Sequence, residues 1–251
     1  MGPLLFFIVL RSFQKNLVNL KLKNKSSEEI IMNNLINLEN WTYDLSKSKT
    51  FPGCITNIEI PNGIIEIEDD AFIGYCGVTN IIIPNTVTRI GKSAFSGCSS
   101  LKNIIIPDSV IEIDDDAFSW TGITNITIPN GVSEISCHLF GRCESLTKIC
   151  FGNNINKIYP GAFFDTAFTE VVIPEGLSEI GDNAFQACHN LAEIVIPSSV
   201  THIGIEAFLC CEKLKIINYR GSKEQWQSMH RGDHWNAYCP KDMVINYNYN
   251  D

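Results

Sequence analysis

The chain has 251 residues, a formal net charge of −9, 45% hydrophobic and 10% aromatic residues, and an apolar content this high excludes an intrinsically disordered chain. The charge is uneven: residues 1–50 carry seven Lys/Arg against four Asp/Glu, and residues 51–251 carry 12 against 24. An acidic body with no Lys/Arg patch among aromatics excludes nucleic acid as a partner, because phosphate binding needs a basic surface.

The N-terminus begins with an apolar run, Leu4 to Leu10. It lacks the basic residue before it and the small-residue cleavage site after it that a secretory signal needs. No run in the chain reaches the ~18–20 apolar residues of a membrane-spanning helix. On these grounds a cytoplasmic chain or a fragment is as open as an exported one. Residues 1–50 show no repeat and form a separate segment. Asn33 to Leu45 is expected to be a helix that caps the first repeat unit.

From residue 51 a phrase of 22 or 23 residues recurs. Pro61, Pro84, Pro107, Pro129, Gly152, Pro174, Pro197 and Arg220 share one slot, with steps of 23, 23, 22, 23, 22, 23 and 23. Phe72, Phe95, Phe118, Phe140, Phe163, Phe185 and Phe208 form a second column in phase with the first. A fixed period of this size predicts a solenoid, whose units are too small to bury an apolar face alone and stack on their neighbours. About seven repeats are expected over residues 51–215.

In the unit that starts at Leu101, the side chains of Leu101, Ile104 and Ile106 point inward and Ile105 outward, the period-2 signature of a strand. Pro107 ends the strand because it cannot donate to a ladder. A turn, a second apolar stretch (Val110, Ile113) and Ala117-Phe118 come next, with Phe stacking on Phe between units. Neighbouring strands would pair in parallel. Beyond residue 216 the pattern fades. Residues 216–251 are expected to be a C-terminal cap with a short helix, started by Ser222 and Gln225 as a capping box. Trp226, Trp235 and Tyr238 would plug the core there or, alternatively, stack on a ligand.

Cys98, Cys143, Cys188 and Cys211 each lie three residues after a repeat Phe, and Thr121 and Thr166 stand near that slot elsewhere. A slot shared by Cys and Thr asks for a small, half-polar side chain, so buried free thiols are expected. Cys188 with Cys211 is the pair left open for an oxidising compartment. Cys137-His138 and Cys188-His189 lack the spacing of a zinc site. Glu66, Glu112, Glu134 and Glu179 form a column near two acidic runs. It reads as a solvated edge; calcium is the alternative, but the spaced D-x-D-x-D-G pattern is missing. No catalytic motif is present, and the five histidines have no partnered nucleophile, so neither an enzyme nor a cofactor is expected. An enzymatic site confined to the cap or the N-terminal segment is the residual alternative.

The phrase L-x-x-I-x-I-P-x-x-V-x-x-I-G-x-x-A-F-x-x-C, carried by LKNIIIPDSV, TVTRIGKSAFSGCSSL and SVTHIGIEAFLCCEKL, resembles the BspA-like leucine-rich repeat of treponemal type. The tail INYRGSKEQWQSM, with HWN and VINYN after it, resembles the terminal segment of members from gut bacteria. Departures are local: Leu139-Phe140 for Ala-Phe, Phe151-Gly152 for Ile-Pro, and Tyr159-Pro160 at the Ile-Gly step. The resemblance covers about residues 51–251. It implies a curved, right-handed solenoid with short strands and a role in surface attachment, some members being adhesins for matrix proteins or other bacteria. Cell-surface or secreted placement is implied in the same way.

The expected function is a non-catalytic protein-interaction module, adhesin-like or surface-associated. The alternative is an intracellular leucine-rich repeat scaffold or regulator using the same face. The partner is expected to be a protein, and the sequence does not name it. The candidate face is the outward column Glu59, Ile82, Ile105, Thr127, Cys150, Val172, Val195 and Asn218, rimmed by Asn57, Asn80, Asn103 and Asn125 and then by Lys148, Glu170 and Glu193. Of these, Glu59, Ile82, Ile105, Thr127, Val172, Val195, Asn80, Asn103 and Asn125 are the expected partner-binding set. A contiguous apolar stripe marks a docking face, while plain β-propensity of Ile and Val is the competing reading. Asn24, Asn40 and Asn125 head N-x-S/T sequons, and a glycan on Asn125 would block the face.

Overall fold

The structure, a computed structural model, describes residues 20–22 and 56–250. The apolar N-terminal run, the helix expected over Asn33 to Leu45 and the sequons at Asn24 and Asn40 lie outside the described residues. Among the described residues, no helix is long and apolar enough to cross a membrane.

The chain forms a parallel β-solenoid of about seven stacked coils. Each coil contributes up to two short strands. The first-strand series is β2 (Asn57–Glu59), β4 (Asn80–Ile82), β7 (Asn125–Thr127), β9 (Lys148–Cys150), β11 (Glu170–Val172), β13 (Glu193–Ile196), β15 (Ile216–Tyr219) and β17 (Val244–Asn246). The second series is β3 (Ile64–Ile67), β5 (Arg89–Ile90), β6 (Glu112–Ile113), β8 (Glu134–Ile135), β10 (Lys157–Ile158), β12 (Glu179–Ile180), β14 (His202–Ile203) and β16 (His230–Arg231). At the N-terminal end β1 (Leu20–Leu22) pairs antiparallel with β3. The other pairings are parallel and join equivalent positions of adjacent coils, as in Ile194 with Val171 and Ile217.

Burial alternates as the sequence dictates. Ile58, Ile81, Ile126, Val171 and Ile194 point in from the first strands, and Ile67, Ile90, Ile113, Ile135 and Ile158 from the second. The Phe column closes the third side. Phe72 through Phe208 stack ring on ring with centroids 5.2–5.8 Å apart. The adjoining Ala71, Ala94 and Ala117 are fully buried, so the small residue sits at the tight corner.

The two 22-residue steps leave a structural mark. The residue missing from each shortens the loop feeding β7 and β11; the first-strand ladder is interrupted before both strands and also, at a 23-residue step, between β4 and the segment at Ile104–Ile106. Thr121 and Thr166 stand in these shortened loops. Each hydroxyl donates to the carbonyl of the Phe three residues back, at 2.8 and 3.1 Å, closing the tighter turn. In the longer loops the same slot holds Cys98, Cys143, Cys188 and Cys211. Each of their thiols instead reaches the Phe carbonyl of the preceding coil, at 3.1–3.4 Å. Cys188 and Cys211 are both free and buried. These thiols act as hydrogen-bond donors between coils.

The register continues beyond residue 216. β15 pairs with β13 and with β17, and β14 pairs with β16. The turn between β15 and β16 is widened to hold helix α1 (Lys223–Ser228), with Ser222 and Gln225 forming the expected capping box. Trp226 is buried on its inner face. Trp226 meets Tyr219 and Trp235 edge-on, and Trp235 closes the Phe column against Phe208, with centroids 6.2 Å apart. In this last coil Arg231 replaces the inward Ile, opposite Ile203. Its guanidinium lies 5.4 Å from the Trp226 ring centroid and donates to the Trp226 carbonyl.

Candidate partner-binding face

Glu59, Ile82, Thr127, Cys150 and Val172 end β2, β4, β7, β9 and β11, and all five are exposed. Alternation along a strand forces this: the inward Ile or Val precedes each of them. Ile105 occupies the same slot between β4 and β7, in a segment that keeps the buried–exposed–buried order from Ile104 to Ile106 without ladder pairing. Ile82, Ile105 and Val172 are 50%, 83% and 53% exposed.

The upper end of the expected column differs. Val195 is only 5% and Asn218 only 2% exposed, so Val195 is removed from the candidate face. Around these two residues the last coils are bridged by polar side chains. Asn218 donates Nδ2 to Glu193 Oε1 at 2.5 Å and accepts from Asn246 Nδ2 at 2.8 Å. Arg220 reaches two coils back to Glu175 Oε1 at 2.5 Å. Val195 stands opposite Asn218 in the ladder.

The rim residues Asn57, Asn80, Asn103, Asn125, Lys148 and Glu170 are exposed beside the column. Asn57 faces Asn80, and Asn125 faces Lys148. Outside this rim runs a threonine file that is absent from the sequence-based set. Thr79 and Thr147 donate side-chain hydroxyls to the carbonyls of Thr56 and Thr124, at 3.0 and 3.1 Å. Their 23-residue spacing is the signal that marks them in the sequence. An open depression of about 460 Å³ lies here, lined among others by Thr124, Thr127, Thr147, Lys148 and Cys150.

The acidic column proves to be a ladder of mixed sign. Arg89 stands between Glu66 and Glu112, and Lys157 between Glu134 and Glu179. Arg89 pairs with Glu66 and Asp114 and lies 3.3 Å from Asp69 and 3.7 Å from Glu112. Lys157 Nζ is 2.9 Å from Glu179. Among the described residues, no cluster of three or more His, Cys, Asp or Glu is placed to hold a metal. A further cluster, with Trp120 exposed and Arg142 and Phe164 half-buried, lies on the loop edge. The Arg142 guanidinium lies 4.8 and 5.0 Å from the two ring centroids and 3.4 Å from Asp165.

The repeated register of strands, Phe column and thiol slot agrees with a sequence match to the leucine-rich repeat region of BspA type, over residues 24–136 and 111–230. The chain belongs to the BspA-type leucine-rich repeat family. Among solved structures it is similar to a leucine-rich repeat protein of T. pallidum, at 28% identity and a TM-score of 0.58, over 63% of this chain and 77% of that one. It is also similar to a leucine-rich repeat protein of Bacteroides ovatus, at 24% identity and a TM-score of 0.44, over 77% of this chain and 63% of that one. A leucine-rich cell surface protein of Faecalibacterium prausnitzii matches at 26% identity and a TM-score of 0.41, over 70% of this chain and 62% of that one. The chain thus spans less than two thirds of the length of the latter two. No curated protein matches the chain. A BspA-type repeat solenoid is typically a non-catalytic scaffold, and leucine-rich repeats commonly serve as protein-interaction modules.

Proposed function

We propose that this chain is a non-catalytic interaction module that captures a protein partner, of adhesin-like or surface-associated type, on the outer face of its first strands. The partner class is a host, matrix or cell-surface protein. One observation carries this reading: Ile82, Ile105 and Val172 stay exposed in one column, whereas the equivalent Val195 is buried. Exposed apolar residues set among polar ones have the layout of a protein interface, with an apolar centre and a polar rim. The Asn file, with Glu59 and Thr127, supplies that rim.

The triple variant Ile82→Ser, Ile105→Ser, Val172→Ser tests it. These side chains contribute little to the core, so the circular dichroism spectrum and melting temperature should stay near those of the parent. Capture of immobilised extracellular-matrix proteins and of intact cells should fall by at least about tenfold, the scale of losing central interface anchors. Undiminished capture by the folded triple variant would overturn the reading.

A further inference from the structure

The solenoid brings together two histidines that lie 28 residues apart in the sequence. His202 of β14 and His230 of β16 are direct ladder partners. Their rings meet with centroids 4.6 Å apart and planes inclined by 54°. Both point outward, His202 half-buried and His230 exposed, because the inward partners are Ile203 and Arg231. The other three histidines stand elsewhere: His138 and His234 on exposed left-handed turns, and His189 near Glu212 at 3.9 Å.

We propose that His202 and His230 form a two-imidazole site for one borderline divalent transition-metal ion, such as Zn²⁺, Ni²⁺ or Cu²⁺, with water completing the coordination. Imidazole is the side chain that suits these ions, and a hard oxygen-preferring cation such as Ca²⁺ or Mg²⁺ would not choose it. The geometry fits. With metal–nitrogen bonds of about 2.0–2.1 Å, two rings chelating one ion at square to tetrahedral angles have centroids roughly 4.5–5.2 Å apart. Parallel pairing fixes the two Cα atoms opposite each other, so much of the ordering that a chelate requires is already built into the sheet. The next residue in the column is Glu179, paired with Lys157 at 2.9 Å. That carboxylate lies beside His202 without being needed as a ligand. A bound ion would tie the last coil, which carries His230, to the coil before it.

Titration of the full chain with Zn²⁺ alone tests the site. One ion per chain should bind, and imidazole nitrogen resonances should move for His202 and His230 while those of His138, His189 and His234 stay. His202→Gln and His230→Gln should each weaken binding by about tenfold or more, since each removes one arm of the chelate. Hydrogen exchange of the β16 amides should slow when Zn²⁺ is added to the parent and not to either variant. Binding of unchanged affinity in the variant that combines His202→Gln with His230→Gln, as through the exposed thiols Cys76 and Cys150, would overturn the proposal. So would the absence of saturable binding in the folded parent.

Discussion

At the scale of the residue, the thiol column shows how one slot accepts two chemistries. Cys and Thr both donate to a Phe carbonyl, but Thr does so within its own shortened loop and Cys across to the preceding coil. Burial pushes the Cys98 thiol up to about 12, and the Cys143 and Cys188 thiols up to about 11, from an ordinary 9.0. Below pH 9 folded and unfolded chains both carry neutral thiols, and stability is full. Above it the unfolded chain releases protons that the folded chain retains, so stability falls as pH rises toward 11–12, by about 1.4 kcal/mol per pH unit for each such thiol. Urea midpoints measured from pH 8 to 11 should show this decline. The variant with Ser at positions 98, 143, 188 and 211 keeps a hydrogen-bond donor but has no thiol to titrate, and should show a shallower one. Equal slopes would rule the thiols out as its source.

At the scale of the element, the second-strand sheet is held from outside by charge as well as from inside by Ile. Glu66, Arg89 and Glu112 stand on β3, β5 and β6 in one row, with Asp69 and Asp114 close by. In the sequence the glutamates stand out as an acidic column because Glu recurs in that slot, whereas Arg89 and Lys157 each fill it once. Arg89→Gln leaves four carboxylates facing one another. It should cost on the order of 1–2 kcal/mol, more than a single exposed pair because several charges share the cation. Chemical denaturation by urea at low salt and at 1 M NaCl should show part of that loss recovered, since a Debye length of about 3 Å at 1 M screens the repulsion. An equal loss at both salt levels would point to lost packing of the Arg stem instead.

At the scale of the whole molecule, a solenoid's stability depends on position along the stack, because each coil touches only its neighbours. Phe118 is fully buried between Phe95 and Phe140, whereas Phe72 is only partly buried near the beginning of the described stack. Phe118→Ala should cost about 3–5 kcal/mol through the cavity it leaves. Phe72→Ala should cost clearly less, because fewer neighbours lose contact. Equilibrium urea unfolding of the two variants checks the order, and equal losses would mean that the coils do not behave as a one-dimensional stack.

The sequence alone determined the solenoid, its 22–23-residue register, the inward Ile and Phe columns, the thiol slot and the capping box at Ser222. These are legible because each depends on local period and residue type, and the repeat states them many times over. Only the tertiary structure decided which outward residues stay open. Val195 and Val172 occupy the same slot, yet Val195 is buried and Val172 exposed, in a stretch where Glu193, Asn218, Asn246 and Arg220 hydrogen-bond across neighbouring strands. The meeting of His202 with His230 and of Arg89 with its carboxylates has the same origin. Stacking places residues 20 to 28 positions apart side by side, and which side chains then reach one another depends on the register of neighbouring coils.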